Sequence, residues 1–345
     1  MKRYIPVNKD ELQPDISNRF FRDALTELRQ YYFDKEKYYH IEKNLLFPDS
    51  ELAFSLFVHK NFNYDLLLKA SEANPAKLSP ESLSIEGDIV IKISDIPLYN
   101  EYIKSLDNHP GSAEQSEKVK ASLIKENSKL VMKDVLSNPR SGKNIKESGK
   151  IVERIAESIL SNKGILYDLI SVKNYDYYTY VHSVNVAVLS IGLGIAANLI
   201  ENKIFKLGFG SILHDIGKSA ISPEILNKPG RLTFLEFRIL QNHVMEGENI
   251  LSEQPDFPDD SLSSVTQHHE KLSGKGYPFN LTGAKITVFG KITSITDCYD
   301  ALTTQRPYKP ALSPFDALSI IVNDCEHYDS ELLKTFIKML GGIED

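Results

Sequence analysis

The residues best placed to do chemistry sit together in Ser211-Ile-Leu-His-Asp-Ile-Gly-Lys218, where an apolar run ends in an adjacent histidine and aspartate. Imidazole suits iron, zinc and their neighbours, and a carboxylate has two oxygens, so it can bridge two cations. Gly217 is expected to let the backbone turn sharply, and Lys218 sets a positive tip beside the pair, where a phosphate oxygen can be caught. A lone His-Asp pair carries little information, because such neighbours are common on surfaces. The rest of the C-terminal half gives it weight. Of the nine histidines, His182, His214, His243, His268, His269 and His327 fall there, and five of these lie on or at the ends of apolar helices. Burying that many imidazoles without partners costs roughly a few kcal/mol each, whereas a metal centre satisfies them together.

The spacing agrees. Helix neighbours diverge by ~100°, so His268 and His269 flank one site only at a helix end. A loop with Gly274, Gly276 and Pro278 begins just there, and His214-Asp215 likewise precedes Gly217. Helical bundles take metal ligands from facing helices, and two ions sharing a carboxylate activate a water and clamp a phosphate.

The elements that must position these residues read as an all-α domain over residues 144–345. Helices are predicted over 145–171, 175–199, 203–215, 233–251, 261–270 and 286–304, with two more from Pro314 and Ser330. Thr233-x-x-Glu236 has the form of a capping box. Residues 109–143 read as a helical linker bounded by Asn108-His-Pro-Gly-Ser112 and Ser137-Asn-Pro-Arg-Ser-Gly142. Its amphipathic stretch 113–136 is suited to a domain contact or a homodimer contact. Residues 1–108 read as a small mixed α/β domain: strands at 4–7 and within 38–47, 51–58 and 88–93, and helices at 18–32, 62–72 and 96–103. This part spells no comparable His/Asp cluster and is expected to regulate rather than catalyse.

Composition bounds the rest. At 345 residues there is room for two domains, and 41% hydrophobic with 25% charged residues is ordinary for a globular chain. A net charge of −7 argues against nucleic acid polymers and acidic membranes as partners. Two cysteines, Cys298 and Cys325, make no disulfide framework and fit a reducing compartment. The N-terminus lacks the apolar core of a signal peptide. The most apolar stretch, 184–200, is shorter than the ~20 residues of a span and reads as a buried helix. A cytoplasmic protein is expected.

In order, His214-Asp215-Ile-Gly-Lys218, Lys228-Pro-Gly-Arg-Leu-Thr233, His268-His-Glu270, Gly276-Tyr-Pro278 and Asp297-x-x-Asp-Ala-Leu-Thr-x-x-Arg306-Pro-Tyr-Lys309 resemble the HD-GYP domains, the cyclic-di-GMP phosphodiesterase branch of the HD metal-dependent phosphohydrolases. The resemblance runs from about residue 144 to the end. Tyr4-Ile-Pro-Val7 and Leu12-x-Pro14 more weakly resemble an accessory domain that precedes some of them. The resemblance implies His182, His214, Asp215 and Asp297 around a first metal, and Asp215 as a bridge to a second held by His243, His268 and His269. It implies two divalent ions, iron foremost and manganese as the alternative. Lys218 would hold a phosphate and Arg306 and Lys309 would grip the dinucleotide. Glu270 would bind a metal or, in preference, orient a ligand histidine from outside the ligand set, where Asp300 also lies, and Tyr277 would either touch substrate or a partner or pack the Gly276-Tyr277-Pro278 loop, where signalling proteins would bind. The implied reaction opens cyclic di-GMP to pGpG or GMP through a metal-bridging hydroxide. The rival readings are a receptor that binds cyclic di-GMP without turnover, and an enzyme of the same fold acting on another cyclic dinucleotide such as cyclic GMP-AMP. Two positions depart from the family. Tyr178 stands where three-metal members carry glutamate, so two ions are expected, and Ser273 replaces an aspartate before the Gly-Tyr-Pro segment, which puts the loop's rigidity in question.

Overall fold

Strand pairing in the first part of the chain follows the alternation of its side chains. The computed structural model describes residues 37–60, 63–107, 116–171, 179–228, 230–304 and 311–342. The expectations for 1–36, including the accessory-domain motifs, and for the Pro110-Gly111 turn lie outside them. The chain divides into two compact units, 1–105 and 106–345.

In the first unit, β1 (Tyr38–His40), β3 (Leu56–Lys60), β4 (Asn63–Leu68) and β6 (Asp88–Lys92) form an antiparallel sheet in the order β1-β6-β3-β4. A separate ladder pairs β2 (Glu51–Leu52) with β5 (Ala76–Lys77). Tyr39, Ile89, Ile91 and Val58 share one sheet face and are buried. Helix α1 (Ile96–Asp107) covers that face with Tyr99 and Ile103, one turn apart and both fully buried. The helix expected over 62–72 is strand β4. Its short apolar run fits either period, and pairing of Lys60 with Asn63 and of His59 with Tyr64 decides for the strand. The expectation that this part holds no His/Asp cluster also fails: the opposite sheet face brings His40, His59 and Asp88 together.

The second unit is helical: α2 (Glu117–Ser137), α3 (Gly142–Ser161), α4 (Gly164–Ser171), α5 (Thr179–Ala196), α6 (Glu201–Ile212), α7 (Pro223–Leu226), α8 (Phe234–Gln241), α9 (His243–Ser252), α10 (Leu262–Gln267), α11 (Val288–Thr303), α12 (Pro314–Asn323) and α13 (Ser330–Leu340). Helix α5 is the axis. It packs on α6, α11, α2, α13, α4 and α3, and its apolar residues run all round it, as a fully buried helix requires. Among the described residues it alone is long and apolar enough to cross a membrane, and 78% of that stretch is buried inside the unit. Two predicted helices are each two: 145–171 breaks at Asn162-Lys163, and 233–251 breaks at Asn242, where His243 Nδ1 bonds the Leu240 carbonyl. The predicted capping box is formed, with Thr233 and Glu236 each accepting from the other's backbone N–H.

The stretch expected to link two domains is built into this unit. Helix α2 packs on α3, α4 and α5 and buries Leu123, Ile124, Leu130, Met132 and Val135. It also buries Lys125, whose ammonium donates to the Leu169 carbonyl at 2.9 Å. A boundary at 144 would strip this layer from the core. A chain of residues 116–345 is therefore expected to unfold cooperatively, and one of residues 140–345 to be unfolded or to melt far lower, because several fully buried side chains are each worth about 2–5 kcal/mol. Thermal unfolding of the two fragments checks this; equal melting temperatures would return α2 to the role of a linker.

Candidate metal centre

Five chain segments converge on one buried point. His182 comes from α5, and His214 and Asp215 from the turn between α6 and a 3-10 segment, Ile216–Ala220. His243 opens α9, His268 and His269 follow the last residue of α10, and Asp297 and Asp300 lie one turn apart on α11. His182, His214, His243, His268 and Asp215 are all within 1% of fully buried.

Hydrogen bonds fix which ring nitrogen faces the cluster. His214 Nδ1 donates to the Ser211 carbonyl at 2.7 Å, His243 Nδ1 to Leu240 at 2.6 Å and His268 Nδ1 to Val265 at 2.8 Å. His182 Nδ1 donates to Asp300 Oδ2 at 2.7 Å, and Asn185 donates to the other oxygen of Asp300 at 2.8 Å. A carbonyl or carboxylate only accepts, so each Nδ1 carries a proton, and in the neutral ring that a metal takes each Nε2 presents a lone pair. Those lone pairs are aimed at one another and at carboxylates. His243 Nε2 and His268 Nε2 stand 3.4 Å apart. His182 Nε2 is 3.1 Å from Asp297 Oδ1, and His214 Nε2 is 3.3 Å from Asp215 Oδ2. His214 Nε2 and Asp215 Oδ1 are buried with no hydrogen-bond partner. Acceptors facing acceptors in a dry interior need a cation between them, so the donor set fits a metal.

Asp215 divides its two oxygens. Oδ2 faces His182 at 3.7 Å and His214 at 3.3 Å, and Oδ1 faces His243 at 3.4 Å and His268 at 3.9 Å. Two potential ligand groups result, Asp215 with His182 and His214, and Asp215 with His243, His268 and His269; the aspartate is common to both. Asp297 leans toward His182 and, through Oδ2, toward His269 Nδ1 at 3.8 Å.

Electrostatics keep these groups in their ligating forms. Burial would raise the Asp215 carboxyl, but positive charge beside it, the Lys218 ammonium foremost, outweighs this and holds it well below the ordinary range. Burial pushes the His268 and His243 imidazoles down, and His269 down to about 3, against the pull of Asp297.

Gly217 serves close approach rather than a sharp turn. A Cβ there would lie 1.9 Å from the His243 carbonyl oxygen, so only glycine lets the His214-Asp215 turn press against the start of α9. Lys218 pairs directly with Asp215 Oδ2, on the side facing His182 and His214. Glu270 is engaged outside the His/Asp cluster. Its buried carboxylate accepts from Phe279 N–H at 2.7 Å and Leu281 N–H at 2.9 Å, and so holds the loop after the double histidine. Gly276 lets that loop fold back, since a Cβ would sit 2.4 Å from Glu270 Cα. Tyr277 packs its ring on His269 at 4.6 Å and edge-on to Phe237 at 6.1 Å. Ser273, for all its difference from aspartate, ties the loop down through His327 Nδ1 at 2.8 Å, and Lys275 pairs with Glu326 at 3.0 Å. His327 thus anchors the loop and stays out of the cluster. Tyr178, Arg306 and Lys309 lie outside the described residues. Sequence reasoning missed Asn185, although its place three residues after His182, on the same helix face, signals it.

Residues 164–332 match the HD domain model. Over those residues the chain carries an HD domain. A cyclic di-GMP phosphodiesterase of Pseudomonas aeruginosa is 32% identical over 64% of this chain and 54% of its own length. A 3'3'-cGAMP-specific phosphodiesterase of Vibrio cholerae is 34% identical over 49% of this chain and 36% of its own. The chain thus spans about half, or less, of the length of these relatives. Among solved structures, an HDG"Y"P protein of Bdellovibrio bacteriovorus superposes with a TM-score of 0.66 over 88% of this chain and 100% of that one, at 20% identity, and shares the fold.

The neutral imidazoles of this HD domain have a consequence for pH. His243, His268 and His269 sit below the ordinary histidine value of 6.5 when folded, so below that pH the unfolded chain binds more protons than the native one. Their contribution to stability is complete above pH 6.5 and is lost as pH falls, by about 1.4 kcal/mol per pH unit for each ring. Urea midpoints of chelator-treated protein are expected to drop between pH 7 and pH 5.5; a flat or rising profile would mean that the rings are not held neutral.

Proposed function

We propose that the HD domain hydrolyses cyclic di-GMP to linear pGpG, with GMP as a further product, at a centre of two divalent ions. The observation that carries this reading is the split of Asp215, whose two oxygens face two separate sets of imidazole lone pairs. His182, His214, Asp215 and Asp297 would hold one ion; Asp215, His243, His268 and His269 would hold the other. Iron suits this histidine-rich, carboxylate-bridged set, and manganese is the alternative. When bound, the ions supply an activated water and positive charge for the phosphate oxygens.

The protein's own residues do the rest. Asp300 and the backbone carbonyls of Ser211, Leu240 and Val265 hold the rings by their Nδ1 protons, so nothing reorients when a ligand arrives. Lys218 is 21% exposed, with its ammonium at the bridging carboxylate, and is suited to take a substrate phosphate oxygen. Tyr277, pinned in its loop, walls the side of His269. Arg306 and Lys309 follow α11, which carries Asp297, and are assigned to the second phosphate or a guanine edge on the family pattern. A related reading, hydrolysis of a cyclic GMP-AMP, is favoured by the similarity to the Vibrio cholerae phosphodiesterase.

Asp215→Ala is expected to lose both ions and all turnover, because the bridge is shared. Lys218→Ala is expected to keep its metal and lose about ten- to a hundredfold in turnover, the worth of one charge-assisted hydrogen bond. Metal analysis with product assays on cyclic di-GMP and 3'3'-cGAMP checks both. Unchanged metal content in the first variant, or wild-type kinetics in the second, contradicts the assignment, and the better substrate decides between the two dinucleotides.

A further inference from the structure

The first unit has a sheet face that nothing in the HD chemistry uses. On it, His59 is the direct cross-strand partner of Asp88, and His40 is the partner of Val90, two residues along β6 from Asp88 on the same face. One donor atom from each of His40, His59 and Asp88 lies within 4.8 Å of the other two. The donors come from three strands that are hydrogen-bonded neighbours, β1, β6 and β3. They therefore stand on a rigid frame rather than on loops.

Packing orients the rings. The His59 ring is stacked on Tyr64 at 4.6 Å and 16°, and the His40 ring meets His59 edge-on at 5.5 Å and 87°. Tyr64 is stacked in turn on Tyr38 at 4.2 Å. This aromatic row limits the rotation of His59 and keeps its edge toward the other two donors. All three donor residues are partly exposed, so an ion can enter from solvent and keep coordination positions for water or an added ligand.

We propose that the first unit binds its own divalent transition-metal ion through His40, His59 and Asp88. Two imidazoles and one carboxylate select zinc, iron, cobalt or nickel over magnesium and calcium, which take oxygen ligands. The site is independent of the HD centre, since it shares no residue with it. It gives the unit a chemical input, a metal ion or a small ligand completing its coordination.

The test uses the full chain, stripped with chelator, reloaded with Zn2+ and passed over gel filtration before metal is counted. His40→Ala/His59→Ala is expected to carry one zinc per chain fewer than the parent. Asp88→Asn, which keeps the side-chain volume and guards against misfolding of the double variant, is expected to lose the same ion or hold it at least tenfold more weakly. Reloading with Co2+ gives a second readout, in which the visible absorption of the parent should lose one component in either variant. A parental zinc count in both variants, or in a folded Asp88→Asn chain alone with unchanged Zn2+ affinity, overturns the proposal.

Discussion

The helical unit depends on one arrangement of charge: a buried carboxylate, Asp215, set among imidazoles whose lone pairs all point inward. The rings of His182, His214, His243 and His268 donate their Nδ1 protons to Asp300 or to a carbonyl, so in the neutral rings no proton is left to lie between His243 and His268, 3.4 Å apart. Such a cluster opposes folding by itself. Desolvation acts against the Asp215 charge, and unpartnered acceptors in a low dielectric each cost about 1–3 kcal/mol. Lys218 offsets part of this by pairing with Asp215. The remainder is supported by the apolar core around α5, which buries fourteen of its eighteen residues. Local rules are broken where chemistry is to be done, and packing elsewhere sustains the breach.

Much of this was legible before the structure. The His214-Asp215 turn, the double histidine at a helix end and the Asp297–Asp300 spacing follow from helix geometry and residue type alone. Asp300 stands outside the ligand set on the family pattern, but its pairing with His182 was not legible, because the two lie 118 residues apart on different helices. What could not be read was anything set by approach between distant segments. Gly217 is glycine because α9 passes it, and Glu270 holds backbone N–H groups nine and eleven residues on. Ser273, where the family carries an aspartate, bonds His327, which stands opposite it. His327 counts in the sequence among the C-terminal histidines but is given no role there.

The two clearest misreadings have one cause. Residues 62–72 looked helical and 109–143 looked like a linker, because amphipathic spacing reports that a face is covered but not by what. Strand β4 is decided by pairing with β3, and α2 by the layer of α3, α4 and α5 beneath it. The same blindness hid His40, His59 and Asp88, which are far apart in the chain and adjacent only through strand register. Helical neighbours are near in sequence, and sheet neighbours need not be, so the HD centre was easier to foresee than the cluster on the sheet.

The claim on which most rests is that Asp215 bridges two ions. Electron paramagnetic resonance of the Mn2+-loaded chain, with His40 and His59 replaced so that only the HD centre contributes, tests it most directly. A shared carboxylate couples the two spins, so the bound manganese should show the broadened, temperature-dependent signal of an exchange-coupled pair. A six-line spectrum of isolated ions accounting for all the bound manganese would contradict the bridge.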